Sequence, residues 1–313
     1  MLATIREHTG DFAPVVVFAY NRPDKLGAML ASLRACDGFA ESPVTVFVDG
    51  PKNDLDEPGV QQVRELAKRF LAPNVKWQFR EQNEGLRNSI FSGVTDVVTN
   101  HGKVIVLEDD LVLSSSALTY FNTFLRHYEH AEQIWSVAGY MYDVPSLRSS
   151  TSAIALPFAH PWGWATWSRA WTRFDLDNQP SMQELRARSF RSAFDMDGLY
   201  PFTDQLKNSI QGRVNSWFIH WYFTIFQHRG MSIFPPRRIV DNFGFSDGSH
   251  GGALNPHERL VTRPRPLETI PQPCDPAEVS YASLDAMRSC RELRVQRFIA
   301  RAGSAKRKVK AAI

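Results

Sequence analysis

The sequence has few cysteines and no long hydrophobic run. Its 313 residues include three cysteines, Cys36, Cys274 and Cys290, which are odd in number and far apart. This spacing excludes a disulfide framework and a paired-cysteine metal motif, and it is typical of a reducing compartment. No window approaches the roughly 20 apolar residues that a membrane span requires. The first residues, MLATIREHTGDF, lack the apolar stretch of a signal peptide. We therefore expect a cytoplasmic protein.

Strong net charge is also absent. Lys and Arg number 36 and Asp and Glu 33, so the formal net charge is +3. Because no basic and aromatic residues interleave along the chain, we expect no nucleic-acid partner. Basic and acidic residues are nearly balanced along the chain except at 291–310, where eight basic residues accompany one acid. This tail predicts either peripheral contact with the anionic inner face of a membrane or an ordinary solvated chain end.

Two common nucleotide-binding motifs are missing. The sequence has no GxGxxG at its first strand end and no GxxxxGK[ST], which disfavours a Rossmann dehydrogenase and a P-loop NTPase. The order of elements nevertheless predicts an α/β sheet. Apolar runs at 14–20, 43–48, 75–79 and 103–113 alternate with helical spacing at 25–33, 63–71 and 85–100. This alternation predicts an open sheet with a parallel core, where ligands bind beyond the carboxyl ends of the strands.

Polar residues stand where these predicted strands end. They are Asn21-Arg22, Asp49-Gly50, Asn83-Glu84 and Glu108-Asp109-Asp110. Three adjacent carboxylates at a strand end repel one another unless a cation or hydrogen-bond donors offset the charge. Their hard oxygen atoms suit Mg²⁺ or Mn²⁺, and these ions suit the diphosphate of a nucleotide. A polar exit from the strand, with no ligand, is the alternative interpretation.

Two of the other strand-end residues have side chains that suit a nucleotide. Arg22 is a permanent cation that can meet a phosphate or the edge of a base. Asp49 can accept hydrogen bonds from a uracil or a ribose. An ordinary surface arginine and a turn aspartate before Gly50 explain the same residues without a ligand.

The composition changes after residue 145. Four of the eight tryptophans fall within ten residues, and they are Trp162, Trp164, Trp167 and Trp171. Sugar rings stack on such side chains, but a buried core uses them as well. Helical spacing at 205–227, a short strand at 231–234 and a glycine-rich loop at 241–252 follow.

Residues 13–252 resemble glycosyltransferases of the GT-A fold, and within them the N-acetylglucosaminyltransferase I-like group and its bacterial relatives. The segments that carry the resemblance, in order, are FAYNRPDKL, VFVDGPKN, NEGLRNSIFSGV, VLEDDLVLSSSALTYF, HPWGWATWSRAW, NSWFIHWYF and IVDNFGFSDGSH. The resemblance implies an open mixed α/β sheet with a parallel Rossmann-like nucleotide-binding half and helices on both faces. It also implies a nucleotide-sugar half at 1–145, an acceptor and catalytic half at 146–255, and a C-terminal extension at 256–313.

The activity implied by the resemblance is a metal-dependent, inverting sugar transfer. The favoured donor is a UDP-sugar, and the acceptor is a hydroxyl of a glycan or glycolipid in bacterial surface polysaccharide synthesis. Asp110 would bind Mn²⁺ or Mg²⁺, with His250 as a further metal ligand or phosphate contact. The residues that would contact the nucleotide sugar are Tyr20, Asn21, Arg22, Asp49, Asn83, Arg87, Glu108, Asp109 and Trp164. A sugar-phosphate nucleotidylyltransferase and a non-catalytic carbohydrate-binding protein are the rival hypotheses.

Inversion requires a general base, and here the sequence departs from the family pattern. Well-studied members carry an aspartate two residues before a tryptophan, where this chain has Asn215 before Trp217. An amide cannot accept a proton at neutral pH. Either the alignment differs at this point, or His220 or Asp204 takes the proton. A structural His220 is a further alternative.

Overall fold

The computed structural model describes residues 12–244, 264–277 and 279–295. The strands in these residues are β1 (Val15–Ala19), β2 (Val44–Val48), β3 (Val75–Phe79), β4 (Lys103–Glu108), β5 (Leu111–Leu113), β6 (Ile134–Ala138), β7 (Ile154–Leu156), β8 (Trp164–Trp167), β9 (Met231–Phe234) and β10 (Val240–Asn242). The helices are α1 (Pro23–Arg34), α2 (Glu57–Arg69), α3 (Gly85–His101), α4 (Ala117–His127), α5 (Ser168–Trp171), α6 (Met182–Arg186), α7 (Arg188–Phe194), α8 (Phe202–Ile210), α9 (Phe218–Gln227) and α10 (Tyr281–Arg288). None of them is long and apolar enough to cross a membrane.

Eight strands of the described chain form one mixed sheet in the order β3-β2-β1-β4-β8-β6-β9-β7. The first four are parallel neighbours, whereas β8 runs antiparallel to both β4 and β6. Strand β9 is parallel to β6, and β7 closes the far edge in the antiparallel direction. The predicted fold class, an open mixed sheet with a parallel Rossmann-like half, is confirmed. The sheet is continuous across residue 145, because β6 pairs with β8 and β9.

Helices cover both faces of the sheet because the strands are apolar on both sides. In β1, Val15 and Val17 pack on one face with residues of α1 and α4, whereas Val16 and Phe18 pack on the other face with α3. Every residue of β1 is buried. A strand of this kind has no polar alternation, which is typical of the centre of a parallel sheet.

Most predicted elements are confirmed, and three segments differ. The acidic strand predicted at 103–113 is broken at its acids, and β5 pairs with β10 in a separate two-stranded ribbon. The helical stretch predicted at 205–227 is divided into α8 and α9, with Gly212 at a φ of 69° in the break. Strand β10 begins the segment predicted as a glycine-rich loop. The rest of that loop, from residue 245, lies outside the described residues.

One edge of the sheet collects the chain segments that matter for function. Strands β1, β2, β3 and β4 end there, and so do β6 and β9, because the antiparallel β8 lies between β4 and β6. The segments that leave this edge after β6 and β9 lead to residues 139–144 and 235–239. The ribbon of β5 and β10 connects the two halves across the same edge.

Candidate functional site

The acidic triplet lies at the carboxyl edge, where β4 ends and β5 begins. Asp109 and Asp110 form the two-residue turn between these strands, and Glu108 is the last residue of β4. The side chain of Asp109 is 3% exposed and that of Asp110 is 12% exposed. The turn therefore holds two carboxylates close together with little access to water.

Arg22 joins these two carboxylates from the turn before α1. One guanidinium nitrogen, Nη2, donates to Asp109 Oδ1, and Nη1 donates to Asp110 Oδ2 at 3.1 Å. The backbone N–H of Tyr20 donates to the other oxygen of Asp109, Oδ2, at 3.3 Å. Pro23 opens α1 directly after Arg22 and restricts the backbone there. The guanidinium of Arg22 is thus held where it pairs with both acids of the turn, Asp109 and Asp110.

One guanidinium does not offset the negative charge of three acids. Burial, followed by the charges of Asp110 and Asp109, raises the pKa of Glu108 well above its ordinary value. Burial raises the pKa of Asp109 to about 6, against the opposing charge of Arg22. A divalent cation in this place would offset both effects.

Strand β10 and the residues after it lie over Asp110. The amide of Asn242 donates to Asp110 Oδ1 at 3.0 Å, and Phe243 N donates to the Asp110 carbonyl at 2.9 Å. Gly244 N donates to Asn242 Oδ1 at 2.7 Å, and Lys25 Nζ donates to the Phe243 carbonyl at 2.8 Å. A Cβ on Gly244 would overlap Asp110 Oδ2 and lie 2.7 Å from its Cγ. The absence of a side chain at 244 lets this backbone approach the carboxylate.

The donor set suits a hard divalent cation that is shared with a ligand. No group of three or more His, Cys, Asp or Glu side chains in the described part of the chain is arranged to hold a metal alone. Mg²⁺ in nucleotide sites takes only one or two carboxylates and completes its shell with phosphate oxygens and water. Asp110, which is the more exposed acid of the Arg22 pair, meets that requirement. Both oxygens of each acid accept a hydrogen bond, those of Asp109 from Arg22 and Tyr20 and those of Asp110 from Arg22 and Asn242, so exposure is what distinguishes the two.

The predicted contacts around Asp49 have strong structural roles. Both oxygens of Asp49 accept backbone N–H groups at the start of α3, from Glu84 and Gly85, each at 2.9 Å. Gly50 N donates to the same carboxylate at 3.2 Å. The Asn83 amide donates to the Gly50 carbonyl at 2.9 Å. Asp49 and Asn83 therefore fasten the loop after β2 to the start of α3.

We expect Asp49→Ala to lower the free energy of unfolding by about 1–2 kcal/mol, because it leaves two partly buried N–H groups at a helix start without their acceptor. Urea denaturation followed by circular dichroism measures this loss. The matched control is Asp54→Ala, at an exposed position in the same loop after β2, and it should change stability little. Equal stability of the two variants would contradict the capping role.

The remaining residues that were predicted to contact a nucleotide sugar are dispersed around this edge of the sheet. Tyr20 OH accepts from Lys52 N at 2.8 Å, and burial raises the pKa of this phenol to about 12. The Asn21 amide donates to Asp56 Oδ1 at 2.8 Å. Arg87 Nη2 donates to the Leu176 carbonyl at 2.7 Å. Tyr20 and Asn21 flank Arg22, whereas Arg87 connects α3 to the second half of the chain.

Trp164 lies in the core. It is 1% exposed and packs against Trp171, Trp217 and Trp221, with the Trp164 and Trp217 ring centroids 5.4 Å apart. No face of this ring is open to a sugar. Trp167 is buried as well, and the cluster of Trp164, Trp171, Trp217 and Trp221 packs α5 and α9 against the sheet.

The three candidate bases lie apart from the acidic turn. Asn215 is exposed in the break before α9. His220 is buried on α9, with its Nε2 2.9 Å from Ser209 Oγ, and burial followed by the charge of Arg87 lowers its pKa. Asp204 accepts from Arg191 Nη2 at 2.8 Å. In the described residues, no hydrogen bond or ion pair joins any of the three to Asp109 or Asp110. His250 lies outside the described residues.

Asn242 is the residue at the acidic turn that sequence reasoning did not single out. The available signal was the run IVDNFGFSDGSH, which carries part of the resemblance to known glycosyltransferases. Within that run, Gly244, Gly248, Gly251 and Gly252 were predicted only to permit motion of the loop, with His250 as the candidate ligand. The contact between β10 and Asp110 depends on tertiary pairing, which a local pattern does not contain.

No family model and no curated protein matches the sequence. Among solved structures, the chain is similar to the mannosyltransferase PcManGT from Pyrobaculum calidifontis, determined in complex with GDP-Man and Mn²⁺. The sequence identity is 15% and the TM-score 0.46, and the match covers 76% of this chain and 59% of that one. The chain thus matches less than two thirds of that protein's length. At this level of similarity, neither its ligands nor its activity is transferred to the present chain.

Proposed function

We propose that this protein is a metal-dependent glycosyltransferase that uses a nucleotide sugar. The observation that carries the proposal is the convergence of Arg22, Asp109, Asp110 and Asn242 at the carboxyl edge of the parallel half of the sheet. Ligands of open α/β sheets bind at this edge. Carboxylates with a raised pKa beside one guanidinium suit a site for a divalent cation and a diphosphate.

Within this proposal, each residue acts through its charge or its hydrogen bonds. Asp110 would hold Mn²⁺ or Mg²⁺, and a bound cation would neutralise the charge that develops on a diphosphate leaving group. Arg22, which donates to Asp110 Oδ2, would contribute a second positive charge. Glu108 and Asp109 would accept hydrogen bonds from ribose or sugar hydroxyls. Asn242 fixes the orientation of the Asp110 carboxylate.

The finer parts of the proposal are a UDP-sugar donor, inversion at the anomeric carbon and a hydroxyl acceptor in a bacterial surface glycan or glycolipid. Inversion requires a base, and His220 is the candidate that a lowered pKa keeps neutral at pH 7. It would have to exchange its hydrogen bond to Ser209 for the acceptor hydroxyl. We further propose that the protein acts in the cytoplasm, peripherally at the inner membrane face through its basic tail, most of which lies outside the described residues.

The test is a thermal denaturation series with UDP and Mn²⁺, each alone and together. We expect the two ligands together to raise the melting temperature more than the sum of their separate effects, because the cation bridges Asp110 and the diphosphate. Asp110→Ala should abolish the joint stabilisation, and the exposed Asp54→Ala should retain it. GDP and CDP in the same series test which nucleobase the protein prefers. A screen of nucleotide sugars for metal-dependent hydrolysis identifies the sugar donor. Purely additive shifts for every nucleotide would contradict the proposal.

A further inference from the structure

A pocket lies on the same edge of the sheet, beyond β10 from the acidic turn. It has a volume of about 290 Å³, near the lower end of the range for small-molecule sites. Its lining residues are Tyr142, Asp143, Val144, Arg148, Pro236, Arg237, Arg238 and Arg265. The chain segments after β6 and β9 supply most of them. Four guanidinium groups thus line one small cavity together with a single carboxylate.

Arg238 forms the fixed wall of this pocket. Its side chain is 10% exposed, and it donates to Asp241 Oδ2 at 3.0 Å and to Glu292 Oε2 at 3.1 Å. Its guanidinium carbon lies 5.0 Å from the centre of the Tyr140 ring, and Tyr140 OH donates to Glu292 at 2.6 Å. These contacts hold a guanidinium rigidly, so that little entropy would be lost when it meets an anion.

The other three arginines of the pocket differ in whether an acidic side chain pairs with them. Arg148 donates twice to Asp143, at 2.6 and 2.7 Å, and so neutralises the acid that lines the pocket. Arg237 makes one long hydrogen bond, of 3.4 Å, to the Pro266 carbonyl. Neither Arg237 nor Arg265 forms an ion pair with an acid of the described residues. Among the described residues, therefore, two guanidinium groups at this mouth have no acid partner.

The position of the pocket relates it to the acidic turn. Arg238 precedes β10, and Asn242 at the end of β10 contacts Asp110. Asn242 is four positions after Arg238, and an extended chain of that length spans at most about 13 Å. A ligand that carries an anion at one end and a sugar hydroxyl at the other could therefore occupy both places.

We propose that this pocket binds the phosphate or diphosphate group of the acceptor, so that the acceptor is a phosphorylated or diphosphate-linked sugar. This inference rests on the proposed function. Arginine forks pair with phosphate oxygens in a planar, bidentate geometry, and here three elements of the chain present them to one cavity. The acceptor's phosphate would lie against Arg237, Arg238 and Arg265, with its sugar directed along β10 towards Asp110.

The test is isothermal titration calorimetry of the full chain with inorganic pyrophosphate in EDTA, so that no metal-dependent donor site contributes. We expect the double variant Arg237→Gln/Arg265→Gln to bind pyrophosphate at least about tenfold more weakly. Arg173→Gln/Arg186→Gln, at two exposed positions outside the pocket, removes the same net charge and should bind like wild type. Asp110→Ala should also leave this binding unchanged, which separates it from the donor site.

Two further arms identify the source of the phosphate. Glucose 1-phosphate tests a soluble acceptor, and phosphatidylcholine vesicles with and without an isoprenoid diphosphate test a lipid-linked one. Binding in either arm that is lost with Arg237→Gln/Arg265→Gln supports the inference and assigns the source. Absence of pyrophosphate binding, equal binding by both double variants, or tighter binding of glucuronate than of phosphate would overturn it. None of these outcomes depends on whether UDP and Mn²⁺ stabilise the protein jointly.

Discussion

Arg22→Met is expected to lower the free energy of unfolding of the metal-free protein by about 2–4 kcal/mol. Removing one partner of a buried ion pair costs about 3–5 kcal/mol, because the remaining charge stays buried without compensation. Here the value is reduced because the Arg22 side chain is 30% exposed, while the Asp109 side chain is only 3% exposed. Chemical denaturation in EDTA measures the loss. Arg22→Lys retains the charge but not the fork, so we expect a smaller loss from it.

The stability deficit of Arg22→Met should depend on pH. Burial already raises the folded-state pKa of Asp109 to about 6, and the charge of Arg22 opposes that rise. Without Arg22 the folded pKa rises further above the unfolded value. A carboxyl with a raised folded pKa destabilises the folded protein at higher pH, and this penalty is lost as the pH falls through the folded pKa. The deficit should therefore be larger at about pH 8 than at about pH 5.

Mn²⁺ should restore part of the lost stability of Arg22→Met at the higher pH, because a divalent cation supplies the missing positive charge to Asp109 and Asp110. The variant should therefore gain more from Mn²⁺ alone than wild type gains. Arg173→Met, at an exposed arginine, serves as the control for the loss of a positive charge. A deficit that is the same at both pH values and unaffected by Mn²⁺ would show that Arg22 acts by packing.

The parallel half of the fold was predictable because each of its strands has a strong local signal. Residues 75–79 were predicted as a strand and coincide with β3, and in the other half the strand predicted at 231–234 coincides with β9. Strand β1 is apolar throughout because both of its faces are buried. The same physics placed the acidic triplet at a ligand-binding edge, since parallel strands end together.

The rest of the site depends on contacts between distant segments. The pairing of Arg22 with Asp109 and Asp110 crosses 87 and 88 residues, and that of Asn242 with Asp110 crosses 132. No local pattern reports such distances. Asp49 shows a second limit of sequence reasoning, because a carboxylate that caps a helix from a preceding strand has the same local sequence as one that binds a nucleoside. The arginine pocket likewise assembles Arg148, Arg238 and Arg265 from three separate segments.

Gly244→Ala is expected to reduce turnover by at least about a hundredfold while the protein remains folded. The new Cβ would overlap Asp110 Oδ2 and lie 3.0 Å from Asn242 Oδ1. The partly exposed Asp110 side chain can rotate away, which strains its bonds to Arg22 and Asn242 and moves its oxygen from the place where a cation would sit. Displacing a catalytic group by about 1 Å costs rates of this order. Nucleotide-sugar hydrolysis, with urea denaturation alongside it, measures both effects.

The matched control is Gly27→Ala, where a Cβ inside α1 would meet nothing nearer than Leu66 Cδ2 at 4.0 Å. Alanine is a better helix residue than glycine, so this variant should be as active as wild type and slightly more stable. The contrast separates a glycine that is needed for the close approach of the backbone to Asp110 from a glycine that has no such contact. If Gly244→Ala kept both its activity and its joint stabilisation by UDP and Mn²⁺, then the position of Asp110 Oδ2 would not matter for metal binding. The acidic turn would then have to bind its cation through Glu108 or through the other oxygen of Asp110, which requires release of the Asn242 amide.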